Sequence, residues 1–286
     1  MNPPESLWRS GVQLWINSLT VAYLVAMCLF ESRRLDVDLA ELRPALRPGP
    51  WHDDPTLFVR NHRPRSLLAV SVAGTLFGLV FNIVTGGTLG QLVSGEPVRW
   101  EYAWGPPVLL LLWTLLFHVL WVMLGHSRLL VRIARQAVRV ELSRLDVFDP
   151  ITNAGIRQLL LIIIGLAVIP TQGILTGHLA PMDFVPALAI VLPVAMALLV
   201  TPLYGVYRAV AAARAAELMH LDADLERAEP RSDRALLLAL YRHQLAAMPA
   251  WPLSLRRFGR VGFYLVIPPL AWVAAALVES GLSAWL

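Results

Sequence analysis

Val108-Leu-Leu-Leu-Leu-Trp113-Thr-Leu-Leu-Phe-His118-Val-Leu-Trp121 carries no charged side chain over fourteen residues and lies inside an uncharged run from Pro106 to Leu124. Lipid offers no partner to backbone N–H and C=O groups, so a chain that crosses it must satisfy them internally, as a helix does. About 20 apolar residues of helix cross a hydrocarbon core of about 30 Å. Pro106–Leu124 has that length and is expected to span. Four further runs meet the same condition, namely Ser66–Thr85, Leu159–His178, Phe184–Tyr204 and Val261–Val278. Val12–Phe30 is also uncharged but holds Gln13, Asn17, Ser18 and Thr20 in its first half. We read it as a sixth span; an interfacial helix is the other reading, which leaves five.

Composition agrees, with 57% of the 286 residues apolar and a mean hydropathy of +0.59. So little polar surface cannot cover a water-soluble domain of this size. The expected fold is all-α, a polytopic membrane helical bundle forming a single membrane domain.

Arginine sets the topology. All 24 basic residues are arginine, and the loops 31–65, 125–158 and 205–260 hold 22 of them, with Arg9 and Arg99 on the other side. Positively charged loops stay in the cytoplasm. The chain is therefore expected in a bacterial cytoplasmic membrane with both termini outside; without a crossing at Val12–Phe30 the N-terminus would sit inside. That first run ends in Leu29-Phe30-Glu31-Ser32 without a small-x-small cleavage pattern, and Met27 stands before Cys28 where a lipoprotein signal needs a small residue. It is expected to stay in the mature chain. Cys28 is the single cysteine, so no intrachain disulfide can form.

Polar residues inside the spans are the first functional candidates. His118 is the one imidazole well inside a predicted span, and Asn82 and Gln172 complete a candidate intramembrane polar site. The predicted spans hold no Asp or Glu, so His118 has no carboxylate partner at depth. Gly74 and Gly78 give the small-xxx-small spacing that lets helix backbones approach, within this chain or between copies. Pro170, Pro186, Pro193 and Pro202 each remove a helical hydrogen bond and predict kinks.

The cytoplasmic stretches carry the rest. Leu35, Leu39 and Leu42 share a helical face that should end at Arg43-Pro44. Arg128, Arg132, Arg135 and Arg139 form a stripe suited to anionic lipid headgroups. Between Tyr204 and Arg260, helices are expected over Val206–Ala228 and Ala235–Met248. A turn at Pro230-Arg-Ser-Asp233, with Ser232 as N-cap, makes them a cytoplasmic helical hairpin. Arg214, Glu217 and Leu221 mark its interaction face. His52, Asp53, Asp54 and His62 lack the spaced pairs of a metal site and read as a solvated loop, whereas Glu217, His220 and Asp224 share a helical face at metal-like spacing and read as a salt-bridged helix surface. No metal and no cofactor are expected.

Several stretches of the second half resemble a known pattern. They are Val147-Phe-Asp-Pro150, Pro202-Leu-Tyr-Gly-Val-Tyr-Arg208, Arg214-Ala-Ala-Glu-Leu218, and Trp251-Pro-Leu-Ser-Leu-Arg256 leading to Ile267-Pro-Pro-Leu-Ala-Trp272. Over residues 145–286 the chain resembles an uncharacterised family of multi-pass bacterial inner-membrane proteins. The resemblance implies paired transmembrane spans with cytoplasmic helices, and it implies no activity, cofactor or catalytic residue. Such proteins carry histidine before the arginine that follows the fifth span, where this chain has Tyr207.

The sequence holds no phosphate loop, no nucleophile with a base and no paired carboxylates in a span. The function expected is a non-enzymatic sensing, scaffolding or assembly module. The alternative is an oligomeric channel or transporter, and the third reading an intramembrane enzyme with His118 as its acid or base. Expected partners are the bilayer, anionic lipids, and a second copy or another membrane protein, with no nucleic acid.

Overall fold

The structure is a computed structural model that describes residues 3–48, 64–84, 88–95, 105–138, 145–176, 181–229 and 232–248, with single positions at 140, 142 and 263. The described residues are all-helical, without a strand. The helices are α1 (Pro3–Leu42), α2 (Pro64–Val84), α3 (Thr88–Ser94), α4 (Gly105–Gln136), α5 (Asp149–Thr176), α6 (Pro181–Arg227) and α7 (Asp233–Ala247). Turns of 3-10 helix occupy Arg43–Ala45 and Leu145–Phe148. Among the described residues α1, α2, α4, α5 and α6 are long and apolar enough to cross a membrane. The predicted span Val261–Val278 lies outside the described residues.

α1 packs against α4 and α5, α6 packs against the same two, and α2 lies on α4. The first four therefore form a bundle. α1 has 40 residues and α6 has 47, which at 1.5 Å per residue makes them about 60 and 70 Å long. Both exceed a bilayer core, and their surplus length builds a second core. Leu24, Met27, Met123, Leu159 and Leu198 belong to one apolar cluster, made from the predicted spans. Leu42, Leu130, Ile133, Phe148, Ile151 and Val206 belong to the other, made from segments expected in loops. At that end the chain after α1 meets the chain after α4: Leu46 bridges Val138, and the Arg47 N–H donates to the Ala137 carbonyl at 2.7 Å.

One local outcome differs from the reading of the sequence. The first span and the short helix of Leu35, Leu39 and Leu42 are one helix, which stops where Pro44 cannot continue it. Pro170, Pro186, Pro193 and Pro202 lie inside helices that continue through them. Pro202 leaves the Leu198 carbonyl without its helical N–H, and Gly155 of α5 covers that place. A Cβ at Gly155 would lie 3.0 Å from Pro202 Cγ and 3.5 Å from Leu198 O.

Candidate functional site

Two acids interrupt the apolar stripe of α1. Leu24, Met27, Glu31, Leu35, Asp38 and Leu42 follow one another at spacings of three or four residues, which puts them on one helical face, and all six are buried. Arg157 of α5 reaches both acids. Its Nε donates to Glu31 Oε1 at 3.1 Å, Nη1 to Asp38 Oδ1 at 3.3 Å and Nη2 to Asp38 Oδ2 at 2.6 Å. The neighbouring Gln158 donates from Nε2 to Glu31 Oε2 at 3.1 Å and accepts from Ser127 Oγ of α4 at 2.8 Å. His126 Nδ1 stands 3.8 Å from Glu31 Oε2, and Arg34 Nε 3.4 Å from Asp38 Oδ1. Arg34, 40% exposed, also reaches Glu41 Oε1 at 3.5 Å, so Arg157 is the buried counter-charge that the two acids share.

These groups form a layer between the two apolar cores. On α1, Glu31 falls between Met27 and Leu35; on α4, His126 and Ser127 fall between Met123 and Leu129; on α5, Arg157 and Gln158 fall between Ala154 and Leu159. Ion pairs taken from water recover the desolvation cost only when their remaining lone pairs and protons are also satisfied. Here every carboxylate oxygen has a donor. With those oxygens engaged, the layer presents no open ligand set and instead locks α1, α4 and α5 at one level.

The residues singled out in the sequence are distributed differently. Asn82 is buried, and its Oδ1 accepts from the Leu89 N–H at 2.9 Å, so it caps α3. His118 is half-buried in α4. Gly78 lies against Leu110 and Trp113, which puts Asn82 and His118 about 16 Å apart along the helix axes. Gln172 is inside α5, with its side chain outside the described residues. Gly74 and Gly78 face α4 of the same chain: a Cβ on Gly74 would lie 2.9 Å from the Trp113 carbonyl oxygen, and one on Gly78 3.0 Å from Trp113 Cδ1.

On the α4 extension Arg128, Arg132 and Arg135 are exposed, and Arg139 lies outside the described residues. The Arg128 guanidinium sits 5.7 Å over the Trp121 ring. Arg214 turns inward: it donates to the Met248 carbonyl at 2.9 Å and to the Ala246 carbonyl, so it caps the C-terminus of α7. Leu221 is buried and Glu217 half-buried. Ser232 accepts from the Ala235 N–H at 3.2 Å and caps the other end of α7. Among the described residues no three His, Cys, Asp or Glu are grouped to hold a metal ion.

Sequence reasoning missed Glu31, Asp38, His126, Ser127, Arg157 and Gln158 as a group. The signal was the pair of acids on the leucine face of α1, hidden when the chain is cut at the end of the apolar run. The chain matches no protein-family model, no curated protein and no solved structure.

Proposed function

We propose that the chain is a non-enzymatic module of the bacterial cytoplasmic membrane, in which a rigid bundle carries α6 and α7 into the cytoplasm as an assembly element. The observation that carries the reading is where reactive and sticky groups end up. The buried charges are paired and closed within the bundle, whereas the outer face of α7 leaves Leu236, Leu237, Leu240 and Tyr241 exposed. Closed polar groups suit architecture, and exposed apolar side chains off the bundle suit a partner. A pore through the bundle is opposed by the side chains that fill it, among them Leu24, Met123, Leu159 and Leu198. The arginine-rich end then faces the cytoplasmic leaflet, where exposed Arg128, Arg132 and Arg135 contact anionic lipid.

Leu221 is the place to test this, because it is buried where α7 lies along α6. Leu221→Asp should release α7 and lower the mass of the nanodisc-embedded assembly, and the bundle should keep its thermal midpoint. An unchanged particle mass, with α7 shown by limited proteolysis to be released, would count against the assembly reading.

A further inference from the structure

Beyond the predicted spans, one face of the α4–α6 pair gathers arginine from both helices. The two run the same way, since Met123 packs with Leu198 in one core, and Leu130 and Ile133 with Val206 in the other. Gly205 fixes their register: a Cβ there would lie 3.0 Å from Val131 Cγ1. At 3.6 residues per turn Arg128, Arg132 and Arg135 stand about 60°, 100° and 40° to one side of Val131, and Arg208 stands about 60° to the same side of Gly205. Arg135 is four residues past Val131 and Arg208 three past Gly205, so these two share a level to within about 1.5 Å. All four arginines are exposed, and among the described residues none has a carboxylate partner. α2, which lies on the same face of α4, stops short of them. Its Gly74 is against Thr114 and Phe117, and its start at Pro64 is ten residues away, about 15 Å, near the level of Gly125.

We propose that the groove between α4 and α6 binds the headgroup of an anionic phospholipid that carries two phosphates. The proposal rests on the reading above that the arginine-rich end faces the cytoplasmic leaflet, and it names the site and the lipid. Guanidinium groups side by side repel one another, and an anion between them turns that repulsion into attraction. Their planar forks suit phosphate oxygens, which they hold bidentately. Four arginines without an acid exceed the charge of one phosphate, so the groove suits two.

The order of side chains along α6 favours a lipid over a free anion. Met196, Val200, Tyr204 and Arg208 follow one another every four residues on one stripe, the first three 38%, 48% and 50% exposed. The stripe is apolar where acyl chains lie, amphipathic at the interface, and cationic about 6 Å beyond Tyr204, at headgroup depth. α4 repeats that order with Trp121 and Arg128. Both arginines lean back toward the membrane, as side chains directed to a helix N-terminus do. The Arg128 guanidinium stands over Trp121, and that of Arg208 stands 5.5 Å over the Tyr204 ring, with Nε donating to Tyr204 Oη at 3.2 Å.

The test is native mass spectrometry of the full chain released from phosphatidylcholine nanodiscs that contain equal small fractions of cardiolipin, with two phosphates, and phosphatidylglycerol, with one. Cardiolipin should be retained at least about fivefold over phosphatidylglycerol, one arginine near a surface being worth about that factor. Arg208→Gln and Arg135→Gln should each lower cardiolipin retention about fivefold at an unchanged thermal midpoint. Arg227→Gln should leave it unchanged, because Arg227 pairs with Asp224 about 35 Å of helix beyond Tyr204. Equal cardiolipin retention in the wild type, Arg208→Gln and Arg135→Gln overturns the groove. So does release of the lipid by an equimolar amount of inorganic pyrophosphate, which would mark a site for a free anion. If in either event the triple change of Arg128, Arg132 and Arg135 to Gln still lowers the total anionic lipid retained, leaflet contact survives without a site; if it does not, both fall.

Discussion

Arg157 binds the Glu31 and Asp38 carboxylates through three of its nitrogens, holding Asp38 with a bidentate fork and Glu31 with the remaining Nε. A lysine cannot imitate that geometry, because its ammonium is a point charge without a fixed fork. Removing the guanidinium leaves two buried carboxylates without their main counter-charge. Arg157→Met should therefore cost about 3–5 kcal/mol of stability, read from the denaturation midpoint in detergent. Adding Glu31→Gln and Asp38→Asn to that variant should restore most of it, because no buried charge is then left unpaired. A loss under about 1 kcal/mol for Arg157→Met would show that water reaches the layer freely. At this scale the sequence was legible where chemistry was local. Ser232 could be named as a cap from its neighbours alone. Arg157 could not, since its partners lie 119 and 126 residues away.

Among the elements, the α2–α4 contact shows how small residues set helix distance. Above Gly74 the backbone of α4 comes so close that any Cβ meets the Trp113 carbonyl oxygen, an atom that cannot swing aside. Gly74→Leu should cost about 1–3 kcal/mol by forcing the helices apart, whereas the same change at Gly11, with nothing within 4 Å, should be silent; thermal unfolding in one detergent compares them. Next to Gly74, Thr75 Oγ1 and Thr114 Oγ1 are 2.7 Å apart, and each also lies within reach of a carbonyl four residues back. Two hydroxyl protons cannot serve three contacts, so one back-bond yields to the bond between helices. The glycine spacing was readable as a close helix contact, but nothing in it said which helix comes close. Gly155, covering the notch left by Pro202, had no spaced partner to reveal it.

At the largest scale the described residues form two apolar cores with a polar layer between them. The spans announced the first core because lipid demands uninterrupted apolar length. The second stayed hidden because its leucines are shared out over segments rich in arginine, and only packing brings Leu42, Ile133, Phe148 and Val206 together. Backbone amides there should behave as buried structure, not as loop. Hydrogen exchange over residues 129–134 should be at least about 100-fold slower than at Ala228 and Glu229 beyond the end of α6. Equal rates would mean that the second core opens independently of the bundle.

The separation of Arg157 from Glu31, 126 residues along the chain, is also an interval in time. At a synthesis rate of about 5–20 residues per second, Arg157 leaves the ribosome about 6–25 s after Glu31. Throughout that interval α1 has its two carboxylates on an apolar face with no guanidinium from α5 to meet them. Glu31 and Asp38 stay without this counter-charge until α5, the third helix of the bundle in chain order, has been made.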